Sequence, residues 1–218
     1  MRILVTGGTG VIGKPTVDRL LRRGHSVRLL SREAERDASL WPERVEPWPG
    51  SVSDPDALRA AAEGCDAILH IAGIVAEDPP ETTFEAVNVQ GTRRLIDEAE
   101  RSGSPRFVYV SSLGAERGSS PYHRSKLAAE ELVRRYGGSW LILRPGGVYG
   151  PGDEVVSTLL KMVRALPAVP VIGRGEQPFQ PIWAEDLAEC LVLALERDDP
   201  SGTVLEVAGD EVTSTREV

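Results

Sequence analysis

Tyr122 and Lys126 stand four residues apart in Tyr122-His123-Arg124-Ser125-Lys126, which puts both on one face of a helix, one turn apart. An ammonium beside a phenol favours the phenolate, bringing the tyrosine into the range of a usable proton donor and acceptor. On a solvated helix the same pair would do nothing, so its meaning depends on its surroundings. Upstream, Val110-Ser111-Ser112 closes an apolar run, where a hydroxyl can hold a substrate oxygen while Tyr122 moves its proton. A third feature is the glycine cluster from Gly7, in which Gly8-Thr9-Gly10-Val11-Ile12-Gly13 fits G-x-G-x-x-G and, from Thr6, the wider T-G-x-x-G-x-x-G. Glycines permit a tight turn, let backbone N–H groups approach a pyrophosphate and let the helix pack closely on the strand. The helix start adds partial positive charge for the phosphates. Together these residues suit a dinucleotide held on Gly7, Gly10, Val11, Ile12 and Gly13 beside a proton-transferring tyrosine.

Such groups need a scaffold that brings 6–13, 110–112 and 122–126 together. Residues 2–6 read as a strand ending at the glycines, and Val11, Ile12, Val17, Leu20 and Leu21 recur at helical spacing through 11–23. Gly24 stops that helix and 26–30 reads as a second strand, a βαβ unit within about thirty residues. The alternation continues with a strand at 45–48, burdened by Pro47, and a short helix over 54–62 opened by Asp54-Pro55. Next come a strand at 67–71, a long amphipathic helix over 83–101 and a strand at 107–111. A helix over 122–136, stopped by Gly137-Gly138, leads to a strand at 140–143. Beyond Gly150 the texture changes to a helix over 154–165, a break at 167–170, a glycine- and proline-rich loop over 173–181, a helix over 184–196 and a strand at 203–207. Apolar strands separated by helices predict an α/β protein with a doubly wound parallel sheet, the Rossmann fold. The expected division is a dinucleotide-binding domain over 1–150 and a small C-terminal substrate-binding portion over 151–218, interleaved with the core sheet.

A chain of 218 residues suits that organisation. Its 25 Lys+Arg against 33 Asp+Glu disfavour a protein whose task is to coat nucleic acid. Cys65 and Cys190 lie far apart, and no Cys/His/carboxylate group has metal-ligand spacing, so no metal is expected. There is no apolar run of membrane-spanning length and no signal-peptide pattern, so a reducing, cytoplasmic setting is expected. His70 at a strand end reads as a packed, hydrogen-bonded histidine and His25 as a turn residue. Arg19, Arg22 and Arg23 read as a solvated helix end that favours the dipole. Trp183-Ala184-Glu185-Asp186 reads as packing and capping of the following helix.

The ordered set resembles the short-chain dehydrogenase/reductase superfamily in its extended or atypical branch. The likeness is carried by Thr6–Gly13, His70-Ile71-Ala72-Gly73, Asn88-Val89-Gln90-Gly91-Thr92, Val110-Ser111-Ser112, Tyr122–Lys126 and Arg144-Pro145-Gly146-Gly147-Val148-Tyr149-Gly150-Pro151-Gly152-Asp153. Within that superfamily the chain is most similar to the NAD-dependent epimerase/dehydratase-like proteins. It is particularly similar to the branch related to the NAD(P)-binding accessory subunit of respiratory complex I, through Ala72-Gly73-Ile74-Val75-Ala76-Glu77, Ser112-Leu113-Gly114-Ala115 and Pro170-Val171-Ile172-Gly173. The resemblance implies that Tyr122 is the acid/base, that Lys126 binds the nicotinamide ribose and that Ser112 orients the substrate, with Ser111 as the alternative hydroxyl. It further implies that Asn88 braces the active-site helix, that Pro145 and Val148 face the nicotinamide end, and that Ala72, Gly73 and Ser111 line the cofactor site. Ser51, beside Val52, stands where relatives commonly place an aspartate toward the adenine. The implied activity moves a hydride between nicotinamide and a carbonyl or carbinol carbon of a small molecule, such as a sugar nucleotide, a quinone or another carbonyl compound. The alternative is a catalytically silent NAD(P)-binding structural or sensor protein. The resemblance also implies a homodimer through 83–101 and 122–136, and a C-terminal portion shorter than in relatives.

The choice between NADP and NAD turns on the residues after the second strand. NAD selectivity needs a carboxylate accepting from the ribose 2′-hydroxyl, whereas arginine accommodates a 2′-phosphate. Glu33 has the spacing for the former, but the first residues past the apolar run are Ser31 and Arg32, a hydroxyl and a guanidinium suited to phosphate. NADP is therefore the expected preference, with Arg28 contributing less.

Overall fold

The computed structural model describes residues 1–41, 44–103, 105–153 and 178–214. The expected helix over 154–165, the break at 167–170, Pro170-Val171-Ile172-Gly173 and most of the loop over 173–181 lie outside the described residues. The first half alternates β1 (Arg2–Thr6), α1 (Gly13–Arg22), β2 (Ser26–Ser31), α2 (Ala34–Ala38), β3 (Val45–Pro49), α3 (Pro55–Leu58) and β4 (Ala67–His70). Then follow α4 (Gln90–Arg101), β5 (Arg106–Val110), α5 (Pro121–Val133) and β6 (Trp140–Pro145). The short strands β7 (Val148–Tyr149), β8 (Pro178–Phe179) and β9 (Ile182–Trp183) precede α6 (Ala184–Glu196), β10 (Thr203–Val207) and β11 (Thr213–Ser214).

Seven strands form one sheet in the order β10-β6-β5-β4-β1-β2-β3, with every adjacent pair parallel. The order reverses between β1 and β4, which opens a crevice at their carboxyl ends. Side chains alternate along β1: Ile3 and Val5 join a core with Val17 and Leu20 of α1 and Leu187 and Leu191 of α6, while Leu4 joins the opposite core with Leu95 of α4 and Val133 of α5. Both faces are thus covered by helices, which is why the strands read as unbroken apolar runs. Pro47 and Pro49 are tolerated because β3 lies at the sheet edge.

Three helices differ from expectation for local reasons. The expected helix over 54–62 ends at Leu58, and Ala60 takes a φ of 62°. The carbonyls of Ala60, Ala61 and Glu63 turn instead to the buried Arg28 guanidinium, at 3.2, 2.7 and 3.0 Å. The expected helix over 83–101 opens with a π turn at Glu85–Val89 before α4 begins. The helix α2 was not expected at all, since Ala-Glu-Arg-Asp-Ala shows no apolar periodicity. Arg19 and Arg23 are also not a solvated end. Arg19 pairs with Glu185 at 3.0 Å and Glu189 at 2.6 Å, and Arg23 with Glu189 and, at 2.6 Å, Glu196, tying α1 to α6.

Candidate active site

The chain leaves β1 at Thr6 and turns at Gly7, whose φ is 73°. Gly13 starts α1 so close to this turn that a methyl group there would sit 2.1 Å from the Gly7 carbonyl oxygen and 2.5 Å from Gly8 Cα. At Gly10, by contrast, the nearest atom to such a methyl group is 3.6 Å away, so this exposed backbone faces open space. Ile12, at the N-cap of α1, makes no side-chain cap and the first turn has no acidic residue. Uncapped amides above bare glycine backbone form an anion cradle, which fits a pyrophosphate. Val11 and Ile12 are half-buried at its rim. Beneath it, His70 is fully buried, with Nδ1 2.8 Å from Thr6 Oγ1 and Nε2 3.0 Å from Thr92 Oγ1, and burial lowers its pKa to about 3. This is the packed, neutral histidine the strand end suggested.

On the other side of the crevice, α5 starts at Pro121 because Ser120 caps it, its Oγ accepting from the His123 amide at 3.1 Å. That start sets Tyr122 toward the loop after β5, with Phe84 at 6.0 Å between ring centres. Burial raises the Tyr122 pKa, and a hydrogen bond with Ser112 opposes the rise. The expected lowering of the Tyr122 pKa toward neutrality is not met, because burial outweighs the opposing influence. Lys126 Nζ donates to the Val110 carbonyl at 2.7 Å and lies 4.5 Å from the centre of the Tyr109 ring. Burial lowers the Lys126 pKa to about 7, with Glu130 pulling the other way. Asn88, in the π turn, donates to Ser125 Oγ at 2.9 Å and to the Ile74 carbonyl at 3.1 Å, joining the loop after β4 to α5. Gly73 lies beside Asn88 and Lys126, where a methyl group would be 3.1 Å from Asn88 Oδ1 and 3.7 Å from Lys126 Nζ.

The structure separates Ser111 from Ser112. Ser111 Oγ donates to Glu130 Oε1 at 2.6 Å in a buried bond, so its hydroxyl is committed and only Ser112 faces Tyr122. Val52, expected with Ser51 at the cofactor site, has its side chain buried against Gly91. Ser51 Oγ accepts from the Ser53 amide at 3.2 Å. The Ala72 amide donates to Thr6 Oγ1 at 3.2 Å, fixing the 71–73 loop against the glycine turn. Pro145 ends β6 at the same edge, and Val148 pairs with Ile182 in the small β7–β9 sheet. Ser31 and Arg32 do not form the expected pair: the Ser31 hydroxyl donates to the buried carboxylate of Asp37, while Arg32 is exposed with no ion-pair partner among the described residues. Arg28 is held by Glu46 at 2.9 Å and by the 60–63 carbonyls.

Two groups escaped the sequence reading. Glu130 and Arg144 form a buried bidentate pair, Arg144 Nε to Oε1 at 2.9 Å and Nη2 to Oε2 at 2.8 Å, with Glu116 on Arg144 Nη1 at 2.6 Å. A lone arginine inside the apolar run of β6 was the available signal, since a buried charge requires a partner. Asp37 was hidden because α2 itself was. No group of three or more possible metal ligands occurs among the described residues. Nor is any helix among them long and apolar enough to cross a membrane.

Known proteins align with this arrangement across nearly the whole chain. The chain is 36% identical over 194 residues to a ceramide reductase of Caulobacter vibrioides, covering 87% of this chain and 59% of that protein. It is 31% identical over 222 residues to subunit 9 of the mitochondrial NADH dehydrogenase [ubiquinone] 1 alpha subcomplex of Arabidopsis thaliana, covering 98% of this chain and 55% of that protein. The chain therefore spans less than two thirds of the length of these curated relatives. The crystal structure of a dTDP-glucose 4,6-dehydratase from Streptomyces venezuelae with NAD bound superposes with a TM-score of 0.86 at 25% identity, covering 100% of this chain and 78% of that one. The match extends from β1 through β10: residues 3–208 fit the NAD dependent epimerase/dehydratase family, and the chain belongs to that family.

Proposed function

We propose that this chain binds NAD(P) along the carboxyl edge of the sheet and acts on a carbonyl or carbinol carbon, with Tyr122 as acid/base. The observation that carries the reading is that the 72–73 segment packs against the uncapped glycine turn at Gly7 and beside Lys126 Nζ at Gly73, next to the Ser112–Tyr122 pair. When bound, the nicotinamide supplies the hydride donor or acceptor. Gly7, Gly10 and Gly13 would hold the pyrophosphate. Ala72, Gly73 and Lys126 would hold the ribose side, Pro145 and Val148 the nicotinamide end, and Ser51 the adenine. Ser112 orients the substrate oxygen, and the Tyr122 hydroxyl gives that oxygen a proton or takes one from it. A cationic Lys126 then favours the phenolate that remains. Substrates in the range from sugar nucleotide to quinone or lipid carbonyl are compatible with the named relatives, a reductase of ceramide and a dehydratase of dTDP-glucose among them.

NADP(H) is the proposed preference, now resting on Arg32 alone, because Asp37 already accepts from Ser31 and pairs with Arg36 at 3.2 Å. Fluorescence titration with NADH and NADPH, followed by a turnover screen with the tighter cofactor, tests the reading. Binding of neither nucleotide overturns it. A second reading, a cofactor held without turnover, is favoured by the Lys126 ammonium engaged on the Val110 carbonyl and by the likeness to the plant NADH dehydrogenase subunit. Tight binding with no turnover across a broad screen would decide for that reading.

A further inference from the structure

Glu130 has no part in the chemistry above, yet it is fully buried and completely engaged. Its Oε1 accepts from Ser111 Oγ at 2.6 Å and from Arg144 Nε at 2.9 Å, and its Oε2 accepts from Arg144 Nη2 at 2.8 Å. These two partners and Glu130 itself lie on three elements that carry the candidate site. Ser111 sits between Val110, whose carbonyl receives Lys126 Nζ, and Ser112, the partner of Tyr122. Arg144 immediately precedes Pro145 at the tip of β6. Glu130 itself stands one turn beyond Lys126 on α5. Desolvating such a pair is costly, and apolar side chains of similar volume would serve stability as well. Its placement at the junction of three site-bearing elements points to geometry rather than stability.

We infer that Glu130 is a positioning residue: its carboxylate pins the tip of β5, the helix α5 and the tip of β6 to one another, and it is the anion facing the Lys126 ammonium. This rests on the proposed roles of Ser112, Tyr122 and Lys126. The other titratable groups near Lys126 are Tyr109 on β5 and the neutral His70 on β4, and Tyr122 stands one turn before it on α5. Glu130 opposes the burial that otherwise drives the lysine toward neutrality.

The test is titration of carbon-13-labelled lysines in the ligand-free chain, which holds three lysines, Lys14, Lys126 and Lys161. In Glu130→Gln the Lys126 midpoint is expected to fall by about one pH unit while Lys14 stays put. Glu130→Asp, which keeps the anion, should restore most of that shift. An unchanged Lys126 midpoint in Glu130→Gln overturns the inference. Ser111→Ala leaves the ion pair intact and covers the case in which Glu130→Gln does not fold. It should lower kcat about tenfold or more at unchanged KM, and speed amide exchange at Ser111 and Leu113. Parental kcat and parental exchange in that variant overturn the clamp. The lysine titration and amide exchange need neither cofactor nor substrate. Failure of the parent to bind NAD(P)H would therefore strike the proposed function alone, while the role of Glu130 would stand or fall on its own readouts.

Discussion

Tyr122 is held neutral by burial, so its value to a reaction lies in a proton it gives up only when charge develops beside it. Tyr122→Phe keeps the ring and removes that proton. Turnover should fall about 10²- to 10⁴-fold, measured at saturating cofactor, while dinucleotide affinity stays at the parental level. Undiminished turnover would dismiss Tyr122 as the acid/base. Arg32→Ala should cost NADPH affinity about 10- to 100-fold and leave NADH binding unchanged, as read by fluorescence titration. Equal losses for both nucleotides would show that Arg32 reads no 2′-phosphate. Tyr122, Lys126 and Ser112 were legible because their relation is local: one helical turn, and one strand end before it. Ser31, Asp37, Glu130 and Arg144 were not, since each finds its partner across elements whose packing no short spacing encodes.

At the scale of elements, the start of α1 separates two demands on glycine. A side chain at Gly13 meets only backbone, which cannot yield, whereas one at Gly10 meets nothing nearer than 3.6 Å. Gly13→Ala should therefore lower both the melting temperature and dinucleotide affinity. Gly10→Ala should keep the parental melting temperature yet weaken dinucleotide binding at least about tenfold by calorimetry, because the methyl group stands where the phosphates approach. Parental affinity in Gly10→Ala would place the dinucleotide elsewhere. The main strands and α6 were legible because a covered parallel sheet writes itself as apolar runs between amphipathic helices. The ends of α3 and the π turn at Glu85–Val89 were not. The first is decided by Arg28, which draws three carbonyls from a segment far along the chain. The second is an irregularity with no periodic signature of its own.

At the scale of the molecule, buried titrating groups give stability a direction with pH. His70 falls from 6.5 to about 3 on folding, so between those values the unfolded chain binds the extra proton and acid destabilises the fold. Lys126 falls from 10.5 to about 7, so between those values too the unfolded chain holds more protons, and stability rises with pH. Glu130, lowered by Arg144 and Ser111, adds to the loss in acid. Burial raises Tyr109 and Tyr122, which reverses the trend once free tyrosine would ionise. Urea unfolding of the ligand-free chain should thus show greatest stability on the alkaline side of neutrality, and a maximum at or below about pH 6 would contradict this balance. The bond between α1 and α6 has a different kind of consequence. Arg19 and Arg23 leave the ribosome some 170 residues before Glu185, Glu189 and Glu196 do. Until then Val17 and Leu20 have only one side of their core, lacking Leu187 and Leu191. A nascent chain stalled after residue 150 should accordingly stay bound by chaperones that grip apolar surface, and one released past residue 207 should let them go.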